Sequence, residues 1–256
     1  MLTLAIQAMA LRKTNATGDF DTHLLEVNEV DFIGKTVPDV NVVTQAGSTI
    51  LSTLVDNKPS LLLLSYYTCG HVCPTTIANL HQIAAHQQID LPDDEFNVIV
   101  LSFDEKDNLM TMAHVQSSLD TIPANWTFGL LKNGESERLT QAVGFNFFFS
   151  EKDQMFIHPA ALIFLSPEGE VMRYLFTTEP DGGDVALALI ESRNRAPRIN
   201  EIIDMVKLTC FQFDRSRSRY SLHPTILFGA TGLGLLGLVA LIVLMTGNKK
   251  HQPGGN

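Results

Sequence analysis

The most constraining feature of the chain is a continuous apolar strand that runs directly into a turn with two cysteines. Residues 60–66, "SLLLLSY", lack the polar alternation of a strand that is exposed on one face. Such a strand is usually covered on both faces, as in a sheet with helices on both sides. The turn "TCGHVCPTT" follows, and then Ile77, Leu80 and Ala84 repeat at helical spacing. We therefore predict that Cys69 and Cys73 lie where a buried strand meets a helix.

Strands and helices alternate along the rest of the domain. Residues 96–104 and 125–131 read as buried strands, and the segment between them reads as a helix with Asp107 as its N-cap. Residues 161–175 have the pattern of a β-hairpin that turns at Pro167 to Gly169. Alternation that ends in a hairpin predicts an α/β fold with a sheet of mixed direction, flanked by helices.

A second feature, near the C-terminus, predicts a membrane helix. Residues 225–246 contain no charged side chain. As a helix this segment would be roughly 33 Å long, enough to cross a hydrocarbon core of about 30 Å. We predict one C-terminal transmembrane helix and contact with membrane lipid.

Charge is distributed unevenly around that span. The chain has a net charge of −10, yet the residues just before the span are rich in arginine, as in "RSRSRY". An acidic domain argues against a nucleic acid as partner. The basic stretch suits anionic lipid headgroups, or is simply a solvated segment beside the membrane.

The N-terminus has a short apolar run that ends in Ala-Met-Ala, a pattern typical of a signal-peptidase site. A signal peptide would place the domain in the periplasm, anchored as a single-pass protein of a bacterial inner membrane. The predicted segments, in chain order, are a signal-peptide remnant (1–10), a linker (11–30), a folded domain (31–195), a basic juxtamembrane segment (196–224), the transmembrane helix (225–246) and a cytoplasmic tail (247–256).

The cysteine turn itself leaves the chemistry open. A helix start lowers the pKa of a nearby thiol, so we expect Cys69 or Cys73 to be more acidic than a free thiol. The spacing C-x-x-x-C is one residue longer than the redox motif C-x-x-C, and no second cysteine pair completes a four-thiolate zinc site. Two thiolates with one imidazole would suit Cu(I). The alternative is a pair of inert buried cysteines.

A metal site of this kind needs a distant histidine, and His158 is the best candidate. It precedes Pro159, which favours an extended backbone, and it lies just ahead of the strand "ALIFL". If that strand is antiparallel to the first, its start lies beside the cysteine turn. His81 and His86 are expected to face solvent, and His71 is expected to be an exposed turn residue or an auxiliary ligand.

The segments around these residues resemble the Sco family. "PSLLLLSYYTCGHVCPTTIANL", "VIVLSFDEKDNL", "NWTFGLL" and "IHPAALIFLSPEGEVMRYL" occur in the order and spacing of that family, over residues 31 to 193. The resemblance implies a thioredoxin-like, peroxiredoxin-like domain. It also implies a copper ion bound by Cys69, Cys73 and His158.

The sequence departs from the usual pattern of the family in two places. Many family members have Asp-Pro after the second strand, whereas here Glu105 follows Asp104. Asp104 is therefore expected either as an acceptor behind the ligands or as a solvated carboxylate. The better-known family anchor is N-terminal, but residues 210–221 look like the stretch before a C-terminal span in one bacterial branch.

By this resemblance the chain is a copper chaperone that delivers copper to the binuclear site of cytochrome c oxidase subunit II. A periplasmic thiol reductant would be needed, because an oxidising compartment closes Cys69 and Cys73 into a disulfide. The main alternative is a thiol-disulfide oxidoreductase that uses the same two cysteines on client proteins. A weaker one is a copper or redox sensor. Cys210, the third cysteine, is expected to be dispensable for metal binding.

Overall fold

The structure, a computed structural model, describes residues 27–70, 72–86, 88–193, 211–214 and 217–222. The strands are β1 (Asn41–Thr44), β2 (Gly47–Ile50), β3 (Ser60–Ser65), β4 (Asn97–Ser102), β5 (Trp126–Leu131), β6 (Phe148–Ser150), β7 (Met155–Ile157), β8 (Ala161–Leu165), β9 (Val171–Phe176), β10 (Phe211–Asp214) and β11 (Arg219–Leu222). The α-helices are α1 (Leu51–Val55), α2 (Val72–Ala85), α3 (Leu109–Ser117), α4 (Glu135–Ala142) and α5 (Gly182–Arg193).

Seven strands form one mixed sheet in the order β2-β1-β5-β4-β3-β8-β9. Strands β3, β4 and β5 are parallel, whereas β1 is antiparallel to β5 and β8 is antiparallel to β3. The predicted α/β fold with a mixed sheet is confirmed. Because β3 is an interior strand between β4 and β8, the turn that follows it lies at one end of the sheet, away from the two edge strands.

Both faces of β3 are buried, which explains its unbroken apolar run. Leu61 and Leu63 belong to the core on one face, with residues of α2, α3 and α5. Leu62 and Leu64 belong to the core on the other face, with residues of α1 and α4. Since successive side chains of a strand point to opposite faces, a strand between two cores needs an apolar side chain at every position.

Helix ends differ from the prediction in one place. The N-cap of α3 is Asn108, whose side chain accepts from the backbone N–H groups of Met110 and Thr111 in a capping box. Asp107, the predicted N-cap, is buried and bonds elsewhere. Gly144 follows the end of α4 with a φ of +64°, and a Cβ there would lie 2.3 Å from the Phe32 ring.

A hairpin that the sequence analysis did not anticipate packs on the domain. Strands β10 and β11 pair within the segment that was predicted only as basic and juxtamembrane. The Tyr220 backbone N–H donates to Asp184 in the first turn of α5, at 2.8 Å, and the Tyr220 hydroxyl donates to Glu191 near its end. Tyr220 is 9% exposed and is part of the core on that face.

In the parts of the chain that the structure describes, no helix has both the length and the apolar character needed to cross a membrane. The predicted transmembrane helix at 225–246, the signal-peptide remnant, the cytoplasmic tail and Cys210 all lie outside the described residues.

Candidate metal centre

The two cysteines lie where the sequence places them, between β3 and α2. β3 ends at Ser65, and the Cys69 backbone N–H donates to the Tyr66 carbonyl at 3.2 Å, which closes the turn. Cys73 is the second residue of α2, in its first turn. Both side chains are buried, at 7% and 5% exposed, and both are thiols. The turn therefore presents two sulfur atoms at the edge of an apolar core.

His158 is brought to Cys73 by the antiparallel pairing of β8 with β3. Leu162 pairs with Leu63, so the residues ahead of β8 run past the end of β3. The His158 Nε2 atom lies 3.3 Å from the Cys73 sulfur, and the prediction that these residues meet is confirmed. The His158 Nδ1 atom lies 2.9 Å from the Pro159 carbonyl oxygen, which can only accept. Nδ1 therefore carries the proton, and the lone pair of Nε2 faces the sulfur.

The two thiols interact with each other. A hydrogen bond with Cys69, together with burial, raises the pKa of the Cys73 thiol. The lowering of the pKa that was expected at the helix start is not found for Cys73. A second negative charge beside Cys69 in a buried site is destabilised more than the helix dipole stabilises it. A soft metal ion would reverse this balance, since a coordinating thiol releases its proton to solvent and would bind the metal as a thiolate.

The His158 imidazole is enclosed by aromatic rings. It stacks on Phe145 at 5.5 Å between ring centroids and meets the rings of Phe103 and Tyr66 edge-on at 5.5 and 5.9 Å. Burial lowers the pKa of His158, so the imidazole stays neutral. A neutral imidazole held in one orientation is ready to act as a ligand. The sequence analysis missed this enclosure.

The Cys73 side chain contacts both of the other candidate ligands, Cys69 and His158. In the described part of the chain, no group of three or more His, Cys, Asp or Glu side chains is already arranged around one ion position. A cavity of about 20 Å³ adjoins Cys73 and His158, and its lining includes Ser65 and Thr76. It has room for a single water-sized group. The residues fit a small soft ion with two thiolates and one imidazole.

Two carboxylates follow β4 on the same sheet edge, and they bond differently. Asp104 accepts from the Lys106 backbone N–H at 2.9 Å, a contact within its own turn. Asp107 is 1% exposed and accepts from the backbone N–H of Tyr67 and from the Ser102 hydroxyl, both at 2.6 Å. Asp107 therefore ties the start of the cysteine turn to β4, whereas the role of Asp104 behind the ligands stays a prediction.

Replacing Asp107 with alanine should loosen the cysteine turn. The buried donors of Tyr67 and Ser102 would lose their acceptor, at a cost of about 1–3 kcal/mol in the free energy of unfolding. Because the turn carries both sulfurs, we also expect about tenfold weaker Cu(I) binding. Asp104→Ala is the matched control, with urea unfolding and chelator competition as the measurements. Equal losses of Cu(I) affinity in both variants would instead assign Asp104 to the site.

The other histidines do not join the centre in the structure as described. His81 is 7% exposed, and its Nε2 atom hydrogen-bonds the Thr121 carbonyl, so the prediction that it faces solvent is wrong. It lies on the buried side of α2 with Ile77 and Leu80. His86 is exposed, as predicted, and His71 lies outside the described residues.

Comparisons with known proteins agree with this architecture. A crystal structure of a candidate electron transfer protein from Aquifex aeolicus VF5 matches with a TM-score of 0.58 and 27% identity, over 64% of this chain and 96% of that one. Arabidopsis thaliana ScoI, solved with copper bound, matches with a TM-score of 0.51 and 13% identity, over 62% and 98%. BsSco, described as a member of the Sco family of cytochrome c oxidase assembly proteins, matches with a TM-score of 0.50 and 16% identity, over 62% and 94%.

The solved Sco structures show that the thioredoxin-like fold expected from the resemblance is present here. No curated protein sequence matches the chain. The family model described as SCO1/SenC matches residues 31–191, which include the cysteine turn, β8 and the intervening His158. This chain is a member of the SCO1/SenC family.

Proposed function

We propose that this protein binds copper through Cys69, Cys73 and His158 and delivers it to the binuclear copper site of cytochrome c oxidase subunit II. The observation that carries the proposal is the contact between the Cys73 sulfur and the unprotonated Nε2 of His158, at 3.3 Å. Cys69 interacts with the same Cys73 sulfur, so the second thiol lies next to the other two candidate copper ligands. Family membership supports the proposal, because relatives include a ScoI structure with copper bound and an oxidase assembly protein.

Copper is cargo in this proposal, so the site has to hold it and also release it. Two thiolates and an imidazole leave Cu(I) short of four ligands, which lets a ligand of the recipient enter before a donor leaves. Burial of Cys69 and Cys73 restricts such an exchange to a partner that docks against the turn. We place the domain in the periplasm, where a thiol reductant would keep both sulfurs available.

The test is transfer of copper between purified proteins. The reduced domain, loaded with one Cu(I), is mixed with the copper-free soluble domain of subunit II, and the absorption of the binuclear copper site is followed. We expect transfer from the loaded wild type, with a Cys73→Ser variant as the matched control that takes up no copper. Failure of the loaded wild type to give up copper would contradict the delivery role.

A thiol-disulfide oxidoreductase is the second candidate, and the contact between the two thiols is the observation that favours it. Burial of both sulfurs counts against it, because the attacking thiolate must be accessible to the client disulfide. Rapid reduction of an oxidised, copper-free subunit II domain would favour this candidate.

A further inference from the structure

The hairpin of β10 and β11 is bound to the folded domain at two of its elements. On α5, Asp184 accepts from the Tyr220 backbone N–H and Glu191 accepts from the Tyr220 hydroxyl. At the end of β9, the Phe176 backbone N–H donates to the Ser218 hydroxyl oxygen at 2.6 Å. Because Ser218 lies in the turn of the hairpin and Tyr220 lies in β11, both parts are fixed. The hairpin is therefore part of the domain surface and not a loose tether.

The turn of this hairpin is basic, although the chain as a whole is acidic. Residues 214–219, "DRSRSR", contain three arginines and one aspartate and so have a net charge of +2, whereas the net charge of the chain is −10. Arg217 and Arg219 are exposed, and the Arg217 side chain is 73% exposed. Arg217 Nε lies 3.8 Å from Asp214 Oδ2, a surface contact that does not prevent the guanidinium from binding a second anion.

The place of the hairpin in the chain brings this basic turn close to the predicted membrane segment. Strand β11 ends at Leu222, and the uncharged segment begins three residues later, at Thr225. Three residues reach at most about 11 Å, and the six residues from Arg219 to Thr225 reach at most about 22 Å. Charges act on one another over about 8–10 Å at physiological salt. A domain bonded to this hairpin is therefore held near the headgroups, with the arginine turn on the near side.

We propose that Arg217 and Arg219 bind anionic lipid headgroups and, because their hairpin is bonded to α5 and β9, hold the whole domain on the membrane surface in one orientation. A guanidinium matches the oxygen atoms of a lipid phosphate in geometry and charge. The cysteine turn belongs to the same sheet, so it faces in one fixed direction relative to the membrane. This docking surface depends on the predicted span at 225–246 and not on copper, so it is independent of the proposed function.

The first test measures whether anionic lipid protects the two arginines. The full chain is reconstituted into vesicles of phosphatidylcholine alone, or of an equal mixture with phosphatidylglycerol, and arginine modification by phenylglyoxal is followed by mass spectrometry. We expect Arg217 and Arg219 to react about fivefold more slowly in the mixed vesicles, and high salt should remove the difference. Arg138 is the internal control, because its side chain is 54% exposed on α4, which packs on the opposite face of the sheet from α5.

The second test measures whether the domain itself is held. Trp126, the single tryptophan of the chain, is 6% exposed in β5, so its fluorescence anisotropy reports rotation of the whole domain. In mixed vesicles the wild type should keep a high residual anisotropy. The double variant Arg217→Gln/Arg219→Gln changes only exposed side chains, and it should fall to the value found in phosphatidylcholine. Equal anisotropy in both proteins, protection of Arg138 as well, or a chain that does not float with the vesicles would overturn the proposal.

Discussion

Replacing His158 with alanine is expected to weaken Cu(I) binding by more than about a hundredfold. Loss of a partner behind a metal ligand costs about 10–100-fold in affinity, and loss of the ligand itself should cost more. His158 contributes the Nε2 lone pair that lies 3.3 Å from the Cys73 sulfur. The measurement is titration of the reduced domain with Cu(I) against a competing chelator, with wild type and variant side by side.

The same variant separates the two candidate functions. Disulfide exchange needs two sulfurs and an attackable thiolate, and the imidazole contributes to neither directly. A copper chaperone should lose affinity in His158→Ala and show slow exchange with a client disulfide in both proteins. Fast exchange that survives the substitution, together with weak copper binding in the wild type, would reverse the functional assignment. His81→Ala is the control for the loss of a buried imidazole, because His81 bonds only the Thr121 carbonyl in the described structure.

The mixed direction of the sheet and the position of His158 beside the cysteine turn could be predicted because both depend on backbone pairing. An apolar run such as that of β3 indicates a strand inside a sheet, and in the structure the hairpin of β8 and β9 pairs at its side. Once β8 is antiparallel to β3, the residue that stands three positions ahead of β8 necessarily lies near the turn after β3. Local sequence is enough for such inferences.

Features that depend on side-chain packing could not be predicted in this way. The rings around His158 belong to Tyr66 just after β3, Phe103 just after β4 and Phe145 in an irregular segment after α4, and no helical or strand period links these positions. The acidity of Cys73 depends on burial and on Cys69, which together outweigh the helix start. Asp107 and Asn108 are both good N-cap residues, and only the buried bond to Tyr67 distinguishes them.

Two misses had a signal in the sequence. His81 follows Ile77 and Leu80 at the spacing of one helix face, so its burial could have been read from the same repeat that located α2. Residues 211–222 contain "FQFD" and "RYSL", short alternating segments that pair as β10 and β11. The arginines between them favoured an interpretation based on charge. Tyr220, which packs in the core, shows that this segment contributes to the domain.

The largest effect on stability is expected at Phe103, just after β4. Phe103 is 2% exposed, and its ring lies within 6 Å of the rings of Tyr66, Phe145 and His158. Replacing it with alanine should lower the free energy of unfolding by about 3–5 kcal/mol, because the cavity left behind cannot fully collapse. The same change frees one side of the imidazole, so we also expect Cu(I) affinity to fall about 10–100-fold.

Phe96, just before β4, is the matched control for Phe103. It is 1% exposed and belongs to the core on the opposite face of the sheet, at the far end of the same strand. Phe96→Ala should lose similar stability in urea unfolding, yet the folded protein should keep its Cu(I) affinity, since the substitution leaves the rings around His158 in place. If both variants bind Cu(I) as tightly as the wild type when folded, the aromatic enclosure only stabilises the fold. If Phe103→Ala alone loses affinity, the enclosure holds His158 in the orientation that the metal requires.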